Sequence, residues 1–341
     1  MRTRAAALAL LALLLLLAGC GRADRVAARR AERRTSTPAA TSTPTATSAP
    51  TGDGTSRYAV GIRRLTLTDP SRTTDPTPGR SGDETQGRTL PTTVWYPASG
   101  DPATAPGDDA LAASGPFQVV LFSHGLGGMP GNYQALASHW SGAGFVVVAP
   151  AYPLTSRNAP RLAPGDVRNQ PADAAFVLTE MLRRSAQPDD PFSGLLDGDH
   201  VAAAGHSAGA ITTLGLFDSC CRDQRLSGGI VLAGNSLGFG GEEFAGGAAP
   251  ILFEHGDQDR VVPYRSGRRA FEAVPWPKAF VTLLGQGHLD PYLHPGDAAF
   301  ALVAKTTTEF LSWTLDGDQQ ALEALRRDGA APGLSRLDDA L

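Results

Sequence analysis

The stretch Val201-Ala202-Ala203-Ala204-Gly205-His206-Ser207-Ala208-Gly209-Ala210 decides the reading of this chain. Its apolar start suits a short strand buried on both faces, and Ala208–Phe217 carries a helical pattern. The serine therefore sits on a tight turn between strand and helix, the context that gives an otherwise weak G-x-S-x-G pattern its meaning. Such a turn forces Ser207 into a strained backbone conformation, and glycines at 205 and 209 remove side chains that would clash with neighbouring chain. Its hydroxyl then projects at a helix N-terminus, where backbone N–H groups favour developing negative charge. A serine acting only as an unreactive helix cap is the alternative, and the partners found further along the chain weigh against it.

Working outward, the alternation of strand and helix recurs. Phe117–Phe122, Phe145–Ala149, Ile230–Ala233, Ile251–Phe253 and Phe280–Leu284 are short apolar runs bounded by glycine or polar turns, as buried parallel strands are. Tyr58–Leu67 and Thr89–Tyr96 alternate apolar and polar residues, with a Pro/Gly/Asp-rich loop between them. Helical spacing marks Asn132–Ser141, Ala172–Arg184, Tyr264–Ala273 and Ala298–Leu315. The pattern predicts an α/β domain over 57–341 with a mostly parallel, doubly wound sheet, and one or two short helices from about residue 316. In such a sheet, chemistry belongs in the loops after the strands.

A serine hydroxyl needs a base, and the base needs an orienting acid; in this kind of fold they follow in the order Ser, Asp/Glu, His. His288 comes directly off the last apolar run, in Leu284-Gly285-Gln286-Gly287-His288, and is the expected base. His255 precedes the acid and is out of order, while His294, beyond Pro291, is expected at the surface. The acid lies in Gly256-Asp257-Gln258-Asp259-Arg260-Val261-Val262-Pro263. Asp259 is favoured because the turn closed by Val262-Pro263 aims it at the histidine loop; Asp257 reads as a turn-former bonding its own backbone. Asp290 is too near His288 in sequence to reach its far nitrogen. The expected oxyanion donors are the backbone N–H groups of Ala208 and of Leu126, in Ser123-His124-Gly125-Leu126-Gly127-Gly128, whose glycines let that loop approach the serine. His124 and His206 read as structural residues that hold these loops through ring hydrogen bonds. No His/Cys/Asp spacing resembles a metal-ligand set, and no cofactor is expected.

Together these elements resemble the α/β-hydrolase family over nearly the whole domain. Val94-Trp95-Tyr96-Pro97, Phe122-Ser123-His124-Gly125-Leu126-Gly127 and Gly144-Phe145-Val146-Val147 resemble the branch of platelet-activating-factor acetylhydrolases and their bacterial lipase-like relatives. That resemblance implies a calcium-independent serine esterase working through Ser207, Asp259 and His288. Chlorophyllases and cutinase-like polyester hydrolases are similar at the serine turn and the His-Gly loop. Ala208 departs from the methionine that cutinase-like enzymes carry there, and Ser207 from the cysteine usual in dienelactone hydrolases. Only about fifteen residues, 234–248, separate two of the strands, too few for a cap domain; Leu237, Phe239 and Phe244 are expected to line one rim of an open site. Tyr152-Pro153-Leu154 and Arg157 are further candidates for specificity. An apolar rim suits a medium or bulky ester, a lipid-like ester or short-acyl phospholipid among them. A catalytically silent surface-binding protein and a peptidase of the same fold are the alternative readings.

The N-terminus reads as an address. Arg2 and Arg4 precede an apolar run to Leu17, and Leu17-Ala18-Gly19-Cys20 resembles a bacterial lipobox, which implies a lipoprotein signal peptide over 1–20 and lipid on Cys20. Residues 21–56 turn first basic, then Ser/Thr/Pro-rich, with Asp53 the single charge from Thr35 to Thr55, a composition that reads as a disordered tether. The expected location is the outer face of a bacterial membrane. The chain has 341 residues with 42% hydrophobic and 19% charged, as a globular protein has. Eight of its 30 basic residues but only two of its 34 acidic ones precede residue 35, so the body is acidic and unsuited to nucleic acid. Beyond Cys20 the only cysteines are Cys220 and Cys221, for which free thiols and a labile bridge are both open readings.

Overall fold

The computed structural model describes residues 57–75, 84–236, 244 and 246–341. The leader with Cys20, the tether, Leu237 and Phe239 lie outside the described residues. The strands are β1 (Ala59–Thr74), β2 (Thr85–Ala98), β3 (Gly107–Asp108), β4 (Phe117–Ser123), β5 (Val146–Pro150), β6 (Leu196–His206), β7 (Leu226–Leu232), β8 (Ile251–Gly256), β9 (Lys278–Leu283) and β10 (Ser335–Ala340). The helices are α1 (Gln134–Ala143), α2 (Gln170–Ser185), α3 (Ala208–Gly215), α4 (Tyr264–Ala273), α5 (Asp290–Leu293), α6 (Ala298–Asp316) and α7 (Gln319–Asp328).

All these strands join one sheet in the order β10-β9-β8-β7-β6-β4-β5-β2-β1-β3. From β5 to β9 every pairing is parallel, while β2, β1 and β10 add antiparallel margins. The apolar runs are central because each residue on them finds cover on one side or the other. On β4, Val119 and Leu121 pack in the layer containing α2, α3 and α4 residues, and Val120 and Phe122 in the layer containing α1 and α6 residues. Val201 and Ala203 against Ala202 and Ala204 repeat that alternation on β6. This is the α/β-hydrolase fold, mostly parallel with helices on both faces, and the described residues form no separate cap domain.

The margins depart from the sequence reading. β1 runs on past Leu67 through Asp-Pro-Ser, a turn-like composition, because a shift of register between Asp69 and Thr73 accommodates it. The extension also places Arg72 against Asp69 and Asp173. Beside it, Arg88 is 1% exposed and bonds the carboxylates of Asp166 and Asp173, fastening β2 to the start of α2. The C-terminal tail is not purely helical. After α7, capped by the Asp318 carboxylate accepting from Gln320 and Ala321, the chain returns as β10 alongside β9. Leu337 makes that return favourable by packing against the α6/α7 layer. Cys220 and Cys221 are joined as a disulfide.

Candidate active site

Strand order reverses at β4, which has β5 on one side and β6 on the other, so a crevice opens at the carboxyl ends of these strands. β6 delivers Ser207 there. Its φ of 56° and ψ of −117° mark the strained turn that the sequence predicts. A side chain at Gly209 would place its Cβ 2.0 Å from the Ser123 carbonyl oxygen, and one at Gly205 would lie 2.2 Å from that of Gly209. Only glycine lets the turn close against β4.

The two other residues converge on this serine. His288 Nε2 lies 2.9 Å from Ser207 Oγ, and His288 Nδ1 lies 2.7 Å from Asp259 Oδ2. The serine is 7%, the histidine 9% and the aspartate 7% exposed, so bulk water barely competes with the line they form. The Asp259 Oδ1 atom accepts backbone N–H bonds from Val261 and Val262, each 2.8 Å, as the Val262-Pro263 turn implies. Burial alone would raise the Asp259 carboxyl, but hydrogen bonds from His255 and His288 outweigh it and hold the group below the usual carboxylate range. His255 is the residue that chain order set aside. Its Nε2 sits 3.2 Å from Asp259 Oδ2 and 2.9 Å from the Val262 carbonyl, and its ring stacks on Phe280. The signal was the strand itself: a histidine ending β8 four residues before the acid shares the acid's turn.

Asp257 does not bond its own backbone. Its Oδ1 accepts the N–H of Gly285, 2.8 Å away, and so ties the acid's turn to the loop that carries His288. His294 is exposed, 3.1 Å from Asp290, which leaves that carboxylate occupied away from His288.

The loop expected to supply an oxyanion donor follows β4. A Cβ at Gly125 would stand 3.3 Å from that of Ser207, so the loop approaches as closely as its glycines permit. The N–H groups of its glycines are taken: Gly125 by Tyr133 Oη, Gly127 by the Thr155 carbonyl and Gly128 by the Gly125 carbonyl. Among the described residues the Leu126 N–H has no acceptor. His124 governs its direction. His124 Nε2 accepts the Tyr152 N–H at 3.1 Å, so the ring proton is on Nδ1 and is donated to the Gly125 carbonyl at 2.8 Å. In a trans peptide the Leu126 N–H points opposite to that carbonyl. Burial pushes the His124 pKa down to about 4, which keeps this tautomer neutral.

The expected rim is corrected at Phe244. It pairs with Asp218, just beyond α3, and packs edge-on against Trp276, just before β9 begins. Both neighbours mark the end of the sheet opposite the serine, because the crossover from β7 to β8 must descend to where β8 starts. Tyr152 and Leu154 are buried, Tyr152 Oη bonding Ser123 Oγ at 2.7 Å. A cleft of about 650 Å³ does open beside this segment, lined by Gly87, Thr89, Pro91, Pro153, Leu154 and Ser156. Leu289, next to His288, is an exposed large apolar side chain. The described residues include no group of three or more His, Cys, Asp or Glu that could hold a metal ion.

Fold and site geometry thus define an α/β-hydrolase-type fold with a serine-centred cluster at the carboxyl ends of its strands. No protein-family model and no curated protein matches the chain. Among solved structures it is similar to a ferulic acid esterase from Streptomyces cinnamoneus, with a TM-score of 0.58 and 20% identity over 79% of this chain and 93% of that one. At that identity the likeness carries the fold, not the branch within it.

Proposed function

We propose that the chain is a serine carboxylic-ester hydrolase. The observation that carries this reading is the unbroken line from Ser207 Oγ through His288 to Asp259, with an unoccupied backbone donor at Leu126 beside it. In the proposed reaction the Ser207 oxygen attacks the ester carbonyl carbon while His288 Nε2 takes its proton. The carbonyl oxygen, now negative, receives the N–H groups of Leu126 and Ala208. His288 passes the proton to the leaving alcohol as the C–O bond breaks, and the acyl group stays on Ser207. Water, deprotonated by the same imidazole, releases the acid. Asp259 keeps the ring oriented and balances the charge it gains.

The exposed Leu289 next to His288 supports a medium or bulky ester, as an apolar side chain at the edge of the site would favour. The platelet-activating-factor acetylhydrolase-like branch belongs to the proposal on the strength of the residues quoted above. Turnover of p-nitrophenyl esters of increasing acyl length, beside a short-acyl phospholipid, ranks the substrates. Ser207→Ala is expected to lose at least about 10⁴-fold in kcat and all labelling by a fluorophosphonate, read by intact mass. A Ser207→Ala protein that hydrolyses at the parent rate, or a parent protein that is never labelled, defeats the reading.

A further inference from the structure

Two buried residues outside the triad connect the loop after β4, the nucleophile turn and the His288 loop. Tyr133 ends a short 3-10 turn before α1, and its hydroxyl oxygen accepts the N–H of Gly125 at 3.1 Å. The same oxygen lies 2.8 Å from His206 Nδ1. His206 Nε2, at the other side of the ring, lies 2.8 Å from the carbonyl oxygen of His288. Tyr133 is 4% and His206 1% exposed, so water supplies no substitute partner.

Every proton in this chain of contacts has one place to be. The Gly125 N–H can only donate. The carbonyl of His288 can only accept, so His206 Nε2 must carry a hydrogen. His206 Nδ1 then accepts the proton of the Tyr133 hydroxyl, and that hydroxyl accepts from Gly125. The order Gly125 N–H to Tyr133 O–H to His206, and His206 Nε2–H to His288 C=O, is thus fixed by chemistry. Burial, followed by the nearby His288 ring, pushes the His206 pKa down to about 3, consistent with a neutral imidazole in this tautomer. The two rings have centroids 4.8 Å apart, so a neutral His206 leaves His288 free to take a proton without facing a second cation.

We propose that Tyr133 and His206 are positioning residues that fix the oxyanion loop, the nucleophile turn and the His288 loop relative to one another through this directed chain of hydrogen bonds. The proposal rests on the esterase reading of Ser207. It differs from ordinary core satisfaction in where its ends lie. One end is the residue before the Leu126 donor; the other is the backbone of the base; His206 adjoins the nucleophile. Displacements of a fraction of an ångström among these three would act on the reacting geometry rather than on the fold.

The test uses Tyr133→Phe, His206→Gln and His206→Asn in the full chain. Turnover of a p-nitrophenyl ester is referred to sites counted by fluorophosphonate titration, so unfolded protein does not enter. Tyr133→Phe is expected to lower kcat roughly 10- to 100-fold, with KM within about twofold, as loss of oxyanion alignment does. His206→Gln, whose amide can still donate toward the His288 carbonyl, should retain more activity than His206→Asn, whose amide cannot reach it. Nitrogen-15 NMR of histidine-labelled resting protein should find His206 neutral with its proton on Nε2, and Tyr133→Phe should keep the proton there, opposite the His288 carbonyl, while the Nδ1 resonance shifts as it loses the tyrosine's hydrogen bond. Wild-type kcat per titrated site in Tyr133→Phe, or a proton on His206 Nδ1 in the parent protein, overturns the proposal while leaving the esterase reading intact. Absence of turnover and labelling in the parent protein overturns the esterase reading, seen before any variant is made.

Discussion

Asp259 accepts hydrogen bonds from two backbone N–H groups and from His288, with His255 Nε2 a further 3.2 Å neighbour, and this sets what its replacement does. An asparagine there would keep the shape but present either an N–H₂ toward the His288 donor or a weaker acceptor, and His288 would lose its tautomer. Asp259→Asn is expected to lower kcat by about 10⁴-fold with little change in KM, measured with the same p-nitrophenyl ester. The carboxyl's depressed pKa adds stability above the unfolded-state value of about 3.9. That contribution is lost only as pH falls through the folded-state value, so the site should outlast mild acid. At this scale the sequence was informative wherever chain order and turn chemistry coincide: Ser207, Asp259 and His288 meet as their spacing implied. It was silent on Tyr133, because a tyrosine in a helix-like run carries no mark that its hydroxyl meets a glycine N–H and a distant imidazole. It misled on Asp257, whose partner Gly285 is 28 residues away and unreachable by local turn rules.

Elements repeat the lesson in a different form. The central strands were legible because burial on both faces demands uninterrupted apolar runs, and α4 falls on Tyr264–Ala273 as its spacing predicts. Strands at the margins were harder to read. β10 carries Ser335-Arg336-Leu337-Asp338-Asp339-Ala340, a polar string whose pairing with β9 only the folded sheet provides. The end of β1 was hidden by Pro70, tolerated there by a shift of register. The junction of β2 with α2 depends on a buried charge cluster that no periodicity reveals. Burial tends to lower the Arg88 pKa, but its bonds to Asp173 and Asp166 win and keep it charged, while burial leaves Asp173 raised. Arg88→Met would strand two carboxylates without their main cation. The expected cost is roughly 3–5 kcal/mol, seen as a drop of about 10 °C in Tm by calorimetry. A Tm within about 2 °C of the parent would show that Arg72 or protonation compensates.

For the whole molecule, pH effects away from the site should come from Glu309 on α6, which burial pushes up to about 8, and from Glu254, fully buried on β8 with Thr306 Oγ1 donating to it at 2.6 Å. Burial pushes the Glu254 pKa up to about 8, the Thr306 bond offsetting only part of that. A raised carboxyl means that the folded state holds a proton the unfolded chain gives up. Its contribution is therefore fully present below about pH 4.5 and is lost progressively as pH rises toward 8. Denaturant unfolding should give a free energy that falls over this window, and Glu254→Gln should flatten the fall. A slope identical in the two proteins would mean that Glu254 is charged and accommodated in the fold.

Ser207, Asp259 and His288 ride on β6, β8 and β9, and the serine and histidine are separated by 81 residues of chain. Between β6 and β8 stands β7, which contributes none of the three, so their meeting requires that strand to be seated as well. During refolding, capture of the serine by a covalent phosphonate should therefore lag behind the return of helical signal and mark the moment at which the last parallel pairing locks.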